Sequence, residues 1–415
     1  MTEQTNTPGL RFPGFSENWE IIKVRDLSKE TIGGGTPNTS KSNYWKGELN
    51  WIQSSDLSLD NLFKHRSKKY INDKALNNSS AKKISANSIA IVSRVGVGKL
   101  VYINHEYATS QDFINLVHLN YPFKFIMYSL YLLLKGEANK LQGTSIKGIT
   151  KKDLLNYSLN IPKTIEEQEK IGVFFNKLDR QIELEEEKLE LLEQQKRGYM
   201  QKIFTQELKF KNSQLENIKW SYKTLEELNS FFTDGNYGES YPKSEDMSDK
   251  NDGVAFLRGS NLKKGRITLE DANYISKKKH SELTTGHLFL DDIVIAVRGS
   301  LGAVGYVNEN MVGNNINSQL AIIRTSNSLL YGKYLLYYLM SNQGKKELLS
   351  RVTGTALKQL PIKQIKQIKV PVPKLYEQHK IANFLSELDN LIDNQTEKIE
   401  LLKERKKGFL QKMFV

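Results

Sequence analysis

Two short turns in this sequence carry an arginine among small residues and stand at matching places. Ser93-Arg94-Val95-Gly96-Val97-Gly98-Lys99 closes the apolar run that starts at Ile89, and Val297-Arg298-Gly299-Ser300-Leu301-Gly302 closes the run that starts at Ile293. Arginine presents two parallel donors that match guanine O6 and N7, and glycine lets a backbone come close to a phosphate or groove wall. The same residues also make a plain structural turn with a solvent-facing arginine, so composition leaves both readings open. A second matched pair is Gly143-Thr144-Ser145-Ile146-Lys147 and Gly354-Thr355-Ala356-Leu357-Lys358. Thr144, Lys147, Thr355 and Lys358 suit phosphate contact, and a helix C-cap accounts for them about as well. A third comprises Ser54, Ser55 and Asp56 against Arg258, Gly259, Ser260 and Asn261, at the ends of apolar strands, where turn chemistry again competes. The two copies diverge most across 33–44 and 234–247, which hold Thr36 and Tyr237.

Motifs for catalysis fail on inspection. Val95 to Leu100 resembles a phosphate loop, but Ser93 replaces its first glycine and Leu100 its Mg²⁺-binding hydroxyl. The histidines are scattered without metal-ligand spacing. No nucleophile elbow, dinucleotide fingerprint or Asn/Asp-Pro-Pro-aromatic methyltransferase motif occurs. The expectation is recognition without catalysis and without a bound metal.

What positions these turns is a duplication. Glu167-Gln168, Lys170-Ile171, Phe174, Leu178-Asp179 and Ile182 recur at one constant offset as Glu377-Gln378, Lys380-Ile381, Phe384, Leu388-Asp389 and Ile392. Both stretches read as long helices, because an insertion into a helix would rotate everything after it. Each would span on the order of 58 Å at 1.5 Å per residue. Leu178, Ile182, Leu189 and Leu192 fall on heptad a and d positions, interrupted by Glu185 and Lys196; Leu388, Ile392, Ile399 and Leu402 do so in the other, interrupted by Gln395 and Lys406. An antiparallel pair is expected, in the register that sets Glu185 opposite Lys406 and Lys196 opposite Gln395, since it matches polar with polar. Two amphipathic helices each lying on its own module remain the alternative.

The repeat continues more loosely outside the helices. Trp19, Ile89, Arg94 and Gly98 return as Trp220, Ile293, Arg298 and Gly302. The layout is therefore a tail (1–16), a module (17–163), a helix (164–209), a second module (210–373) and a second helix (374–415). The fold class is α+β: two mixed α/β modules joined by two long helices, with pseudo-twofold symmetry. The net charge is +13, while the long-helix stretches are together slightly acidic, so the basic excess lies on the modules. That suggests a polyanion partner. Cysteine is absent, which fits a reducing cytosol. The start shows no secretory pattern, and no apolar run reaches membrane-spanning length. A cytoplasmic protein without membrane contact is expected.

At this point the chain resembles the specificity (S) subunit of a type I restriction–modification enzyme. The resemblance spans nearly the whole chain. It rests on Leu10-Arg11-Phe12-Pro13-Gly14-Phe15 with Trp19, Gly143-Thr144-Ser145-Ile146-Lys147, the Glu-Gln-x-Lys-Ile helix starts and the Gln-Lys-x-Phe helix ends. It implies two target recognition domains reading double-stranded DNA, separated by helices that form an antiparallel coiled coil. It also implies two modification subunits and, through the complex, restriction subunits as partners. S-adenosylmethionine, ATP and Mg belong to those partners, and this chain holds no cofactor. Two other readings stand beside it: a stand-alone duplicated DNA-binding regulator, and a coiled-coil scaffold bearing carbohydrate- or peptide-binding modules.

Overall fold

The computed structural model describes residues 6–141, 148–210 and 220–415. It divides into two compact units, Met1–Glu186 with Glu397–Val415, and Glu187–Thr396. Each long helix therefore supplies one stretch to each unit.

In the first unit the apolar run beginning at Ile89 forms the strand Ser88–Val92, central in a sheet with Ser28–Gly33, Phe113–Leu119 and Leu100–Ile103. All its pairings are antiparallel. Strand side chains alternate between faces, and here both faces are covered. Ile89 and Ile91 join a core with the aromatic helix Phe123–Leu141, while Ala90 and Val92 join a second core with Ile52, Leu57 and Phe113. Double burial explains why the run is unbroken by polar residues. A smaller sheet pairs Leu49–Ile52 antiparallel to Lys69–Ile71 and parallel to Tyr107–Thr109. The strands Glu20–Lys23 and Ser158–Ile161 close the module beside the long helix.

The second unit repeats this plan with variations. Ile293–Ala296 lies between Leu320–Arg324 and Val304–Tyr306 in a larger sheet that also holds Phe231–Asp234, Gly265–Ile267 and Leu262–Lys263. Ile293 and Ile295 face the aromatic helix Gly332–Met340, and Val294 and Ala296 face a separate core with Leu257 and Ile316. The sequence places the aromatic helices at Phe125 to Leu134 and Tyr331 to Met340, and both are present.

The long helices run Ile165–Phe204 and Leu375–Met413. Each opens on a proline-flanked turn clamped by the repeated glutamine: Gln168 Nε2 donates to the Pro162 carbonyl at 2.8 Å, and Gln378 Nε2 to that of Pro373 at 3.0 Å. Both ends are tied down by matching segments. Leu10 N–H donates to the Lys412 carbonyl and Leu208 N–H to that of Lys202, while Phe12 packs edge-on against Phe174 and Phe210 against Phe384. Arg11 grips Glu167 with two bonds of 2.6 and 2.8 Å. Glu377, at the corresponding place, instead accepts from Trp220 Nε1, and burial raises its carboxyl above the ordinary range.

Within each unit the two helix stretches run antiparallel, but not in the polar-matched register. In the first unit Lys406 Nζ lies 2.5 Å from Asp179 rather than meeting Glu185, and Glu185 takes Lys398 at 2.5 Å. Phe174 and Phe409 pack with centroids 5.1 Å apart. In the second unit Lys196 lies 2.5 Å from Asp389, not at Gln395, and Tyr199 packs on Phe384. The stretches are offset by about one heptad from the expected register. The expectation failed because it weighed only residues on the seam. Asp179 and Asp389 stand beside seam leucines, and a lysine stem is long enough to reach past a leucine to a carboxylate. Each carboxylate is also held from the module: Tyr128 O–H donates to Asp179 at 2.6 Å, and Tyr337 O–H to Asp389 at 2.7 Å. Both lysines additionally sit over those tyrosine rings. Seam residues Phe175, Leu178, Ile182, Leu385, Leu388, Ile399 and Leu402 are buried, as are Lys196 and Gln395.

Removing Asp179 would leave the Lys406 ammonium partly buried without a carboxylate, which costs more than removing both charges. Asp179→Ala should destabilise by about 3 kcal/mol, and Lys406→Met by clearly less. The midpoint of thermal unfolding measures both, and equal losses would contradict the buried-pair account.

Candidate nucleic-acid interface

In each module the candidate turns gather at one end of the main sheet. In the first, Gly33 ends a strand, Val92 ends its neighbour but one, and Phe113 begins the strand between them, so three loops emerge together. Close packing fixes the first loop. A Cβ on Gly34 would lie 1.9 Å from the Ser110 carbonyl, and one on Gly235 would lie 2.2 Å from that of Asn317. These positions admit only glycine, and they carry Thr36 and Tyr237 two residues on. Thr36 hydrogen-bonds Gln111. Tyr237 donates its O–H to the Ser318 carbonyl at 3.0 Å, and its ring lies 5.3 Å below the Arg298 guanidinium. Burial, with Asp234 nearby, raises the Tyr237 phenol above its ordinary range.

The arginine turns are braced from beneath and open above. Ser93 N–H donates to the Asp112 carbonyl at 2.7 Å, and Val297 N–H to that of Gln319 at 2.9 Å. Arg94, Val95, Gly96, Arg298, Gly299 and Ser300 are exposed. Gly96, Gly98 and Gly302 hold positive φ of 92°, 101° and 82°, a region that disfavours any side chain. Lys99 is not free for a ligand: its Nζ donates to the Ser54 carbonyl at 3.1 Å and joins two candidate turns. In the second module Ser300 packs 3.6 Å from where a Gly259 Cβ would stand, so the corresponding turns meet there too.

The third pair of turns is mostly occupied internally. The Asp56 carboxylate accepts from Gln53 N–H at 3.0 Å, and Asn261 Oδ1 accepts from Arg258 N–H at 3.0 Å. Asn261 is buried and gives its amide to the Thr268 and Glu270 carbonyls. Arg258 donates to the Asp271 carbonyl. Ser55 and Ser260 are the exposed members. Thr355 and Lys358 are exposed on a hairpin closed by reciprocal bonds between Thr353 and Gln359, each 2.9 Å. Thr144 and Lys147 lie outside the described residues. The chain after them packs behind the first arginine turn, where Ile149 N–H donates to the Ser93 carbonyl, as Leu360 N–H does to that of Val297.

Sequence reasoning missed Gln111, Ser318 and Gln319, which share this end. Their signal was present as Thr109-Ser110-Gln111 and Asn317-Ser318-Gln319, one after each central loop. A cavity of about 270 Å³ lies among Asp234, Tyr237, Arg298, Gln359 and Leu360. Among the described residues no cluster of histidine and carboxylate could hold a metal ion, and no helix is long and apolar enough to cross a membrane.

One exposed loop end, bearing arginine and hydroxyl groups, is thus built twice. The profile of the family described as "Type I restriction modification DNA specificity domain" matches residues 16–194 and again 217–404. The chain belongs to that family, as a type I restriction–modification specificity subunit with two repeated DNA-recognition domains. It is 25% identical over 416 residues to the type I restriction enzyme MjaIX specificity subunit of Methanocaldococcus jannaschii, covering 96% of this chain and 93% of that one. It is 31% identical over 196 residues to the EcoR124I/EcoR124II specificity subunit of Escherichia coli, covering 43% and 47%. In fold it is similar to the S subunit from M. genitalium, with a TM-score of 0.61, 19% identity and 99% coverage of both chains.

The glycine packing yields a direct test. Gly34→Ala drives a Cβ into backbone and should destabilise by about 2 kcal/mol. Gly33→Ala, whose Cβ would meet nothing within 4 Å, should leave the melting temperature nearly unchanged. Similar melting shifts for the two would show that the loop is not clamped.

Proposed function

We propose that each module reads one half of a bipartite DNA target through the loops gathered at its sheet end. Arg94 with Thr36 and Ser55 would serve one half, and Arg298 with Tyr237, Ser260 and Ser300 the other. Thr144, Lys147, Thr355 and Lys358 would hold phosphates; Gly96, Gly98 and Gly302 would let backbone approach; and Ser54, Asp56, Lys99, Arg258 and Asn261 would shape the turns. The recurrence of this loop end in two modules of different loop sequence carries the reading. Equal architecture implies an equal task, and unequal side chains imply unequal half-sites.

The domain limits follow the repeat, with recognition domains at 17–163 and 210–373, helices at 164–209 and 374–415, and a tail at 1–16. The two long helices form one antiparallel coiled coil that relates the modules by a pseudo-twofold axis. A rigid spacer fixes the distance between half-sites, as dimeric DNA readers fix theirs near one helical turn, about 34–36 Å. The outer faces of the helices dock two modification subunits, and restriction subunits join through them. Methyl transfer from S-adenosylmethionine and ATP- and Mg-dependent cleavage belong to those partners, and the assembly works in the cytoplasm. Family membership favours this over a stand-alone regulator, because a regulator needs no partner enzymes.

Independent half-sites can be tested by mapping methylated positions with the reconstituted methyltransferase. Arg94→Ala should relax one half of the motif and Arg298→Ala the other, each weakening discrimination by about 1–3 kcal/mol. Equal degradation of both halves by either variant would make the turn structural rather than recognitive.

A further inference from the structure

Leu357 is 87% exposed, more than any other large apolar side chain among the described residues. Such exposure forgoes the stabilisation that burying a leucine would return. Nothing in the hairpin itself needs an apolar residue there. Its closure comes from the paired Thr353 and Gln359 backbones and from Gly354, at φ 89°, whose absent Cβ would lie 2.4 Å from the Leu357 carbonyl. The side chain is therefore held out on a hairpin closed at its base.

Its surroundings say what it would meet. Three residues on, Leu360 is fully buried and its N–H is fixed to the Val297 carbonyl at 3.0 Å, so the hairpin is anchored one residue from Arg298. Gln359 lines the same cavity as Arg298 and Tyr237. The exposed Thr355 and Lys358 flank the leucine. One exposed apolar tip set between a hydroxyl and an ammonium, on a hairpin whose Gln359 shares a cavity with Arg298, suits a duplex. The polar groups bind phosphates while the apolar one enters between stacked bases. A protein-docking patch would need several contiguous large apolar residues, and this tip has one, Leu357, beside the small Ala356. The order hydroxyl, small residue, apolar residue, lysine occurs in the first repeat as Thr144-Ser145-Ile146-Lys147, outside the described residues.

We propose that Leu357 is a wedge that inserts into a base step of the DNA held by the second module. The wedge rests on the DNA-interface reading above. Insertion unstacks one step and kinks the duplex, a cost that extra contacts offset.

The test uses the methyltransferase reconstituted with its partner subunits, on its target duplex carrying 2-aminopurine at successive positions. With the native chain, fluorescence should rise at one step within one half-site. Leu357→Ala should abolish that rise and speed dissociation roughly tenfold, the equivalent of one leucine's burial, and Leu357→Phe should keep it. The residue is exposed, so the fold tolerates each change. If Leu357→Ala behaves as the native chain while Arg298→Ala and Lys358→Ala weaken binding, the wedge is wrong and the interface stands. If none of these variants alters DNA binding, the interface reading falls as well. If Leu357→Ala instead loses the partner subunits with base stacking unaffected, the leucine is a protein contact and the proposal is overturned.

Discussion

One carboxylate in each unit binds a module and both helix stretches at once. Asp179 accepts from Tyr128 of the aromatic helix and from Lys406 of the opposing long helix, and Asp389 does the same with Tyr337 and Lys196. Each bond limits what the others can do. The lysine occupies a seam position that would otherwise be apolar, so it needs a counter-charge within reach. The aspartate on the neighbouring helix supplies it only in one register. The tyrosine, whose phenol burial holds well above its ordinary range, then ties that register to the module. Sliding the helices by a heptad would break the ion pair and carry the lysine off the tyrosine ring, while the Tyr128–Asp179 and Tyr337–Asp389 bonds, each between a module and its own helix, would persist. The orientation of each module on its helices is fixed by the same contact that fixes the helix pairing.

From that seam the order passes outward through packing. The aromatic helix lies between the long helices and the central strand, and its inner core includes Ile89 and Ile91 in one unit and Ile293 and Ile295 in the other. Those strands end at the arginine turns. The loops are not rigid by their own composition, which is glycine-rich. They are held because Gly34 and Gly235 press on neighbouring backbone and because buried residues such as Leu100 and Leu360 adjoin them. The loops can vary in side chain while their roots stay put. Two modules of one plan can thus present Thr36 with Gln111 in one place and Tyr237 with Arg298 in the other.

Much of this was legible in the residues, and the limits are instructive. The duplication, the long helices, the buried strands and the aromatic helices all follow from period, offset and apolar runs, patterns that burial enforces, whereas burial of those strands on both faces is seen only in the fold. The helix register did not follow. Polar seam residues were matched with each other, whereas the deciding partner, Asp179 or Asp389, lies just off the seam, and the deciding support, Tyr128 or Tyr337, comes from far along the chain. Among site residues, turn chemistry and ligand chemistry use the same types, so Asn261 and Lys99 looked available in the sequence and are engaged internally in the fold. Gln111 and Gln319 went unnoticed because their repeated Ser-Gln pairs lie apart in the chain from the matched turns, and only the strand order sets them beside an arginine turn.

The central claim is that two unlike modules on one fixed spacer read one asymmetric target. Long-read mapping of modified adenines in DNA from a host whose sole methyltransferase contains this chain tests it most directly. The account predicts a motif of two short, different parts separated by an unread stretch of constant length. A single uninterrupted motif, two identical halves, or a spacer that varies from site to site would contradict it.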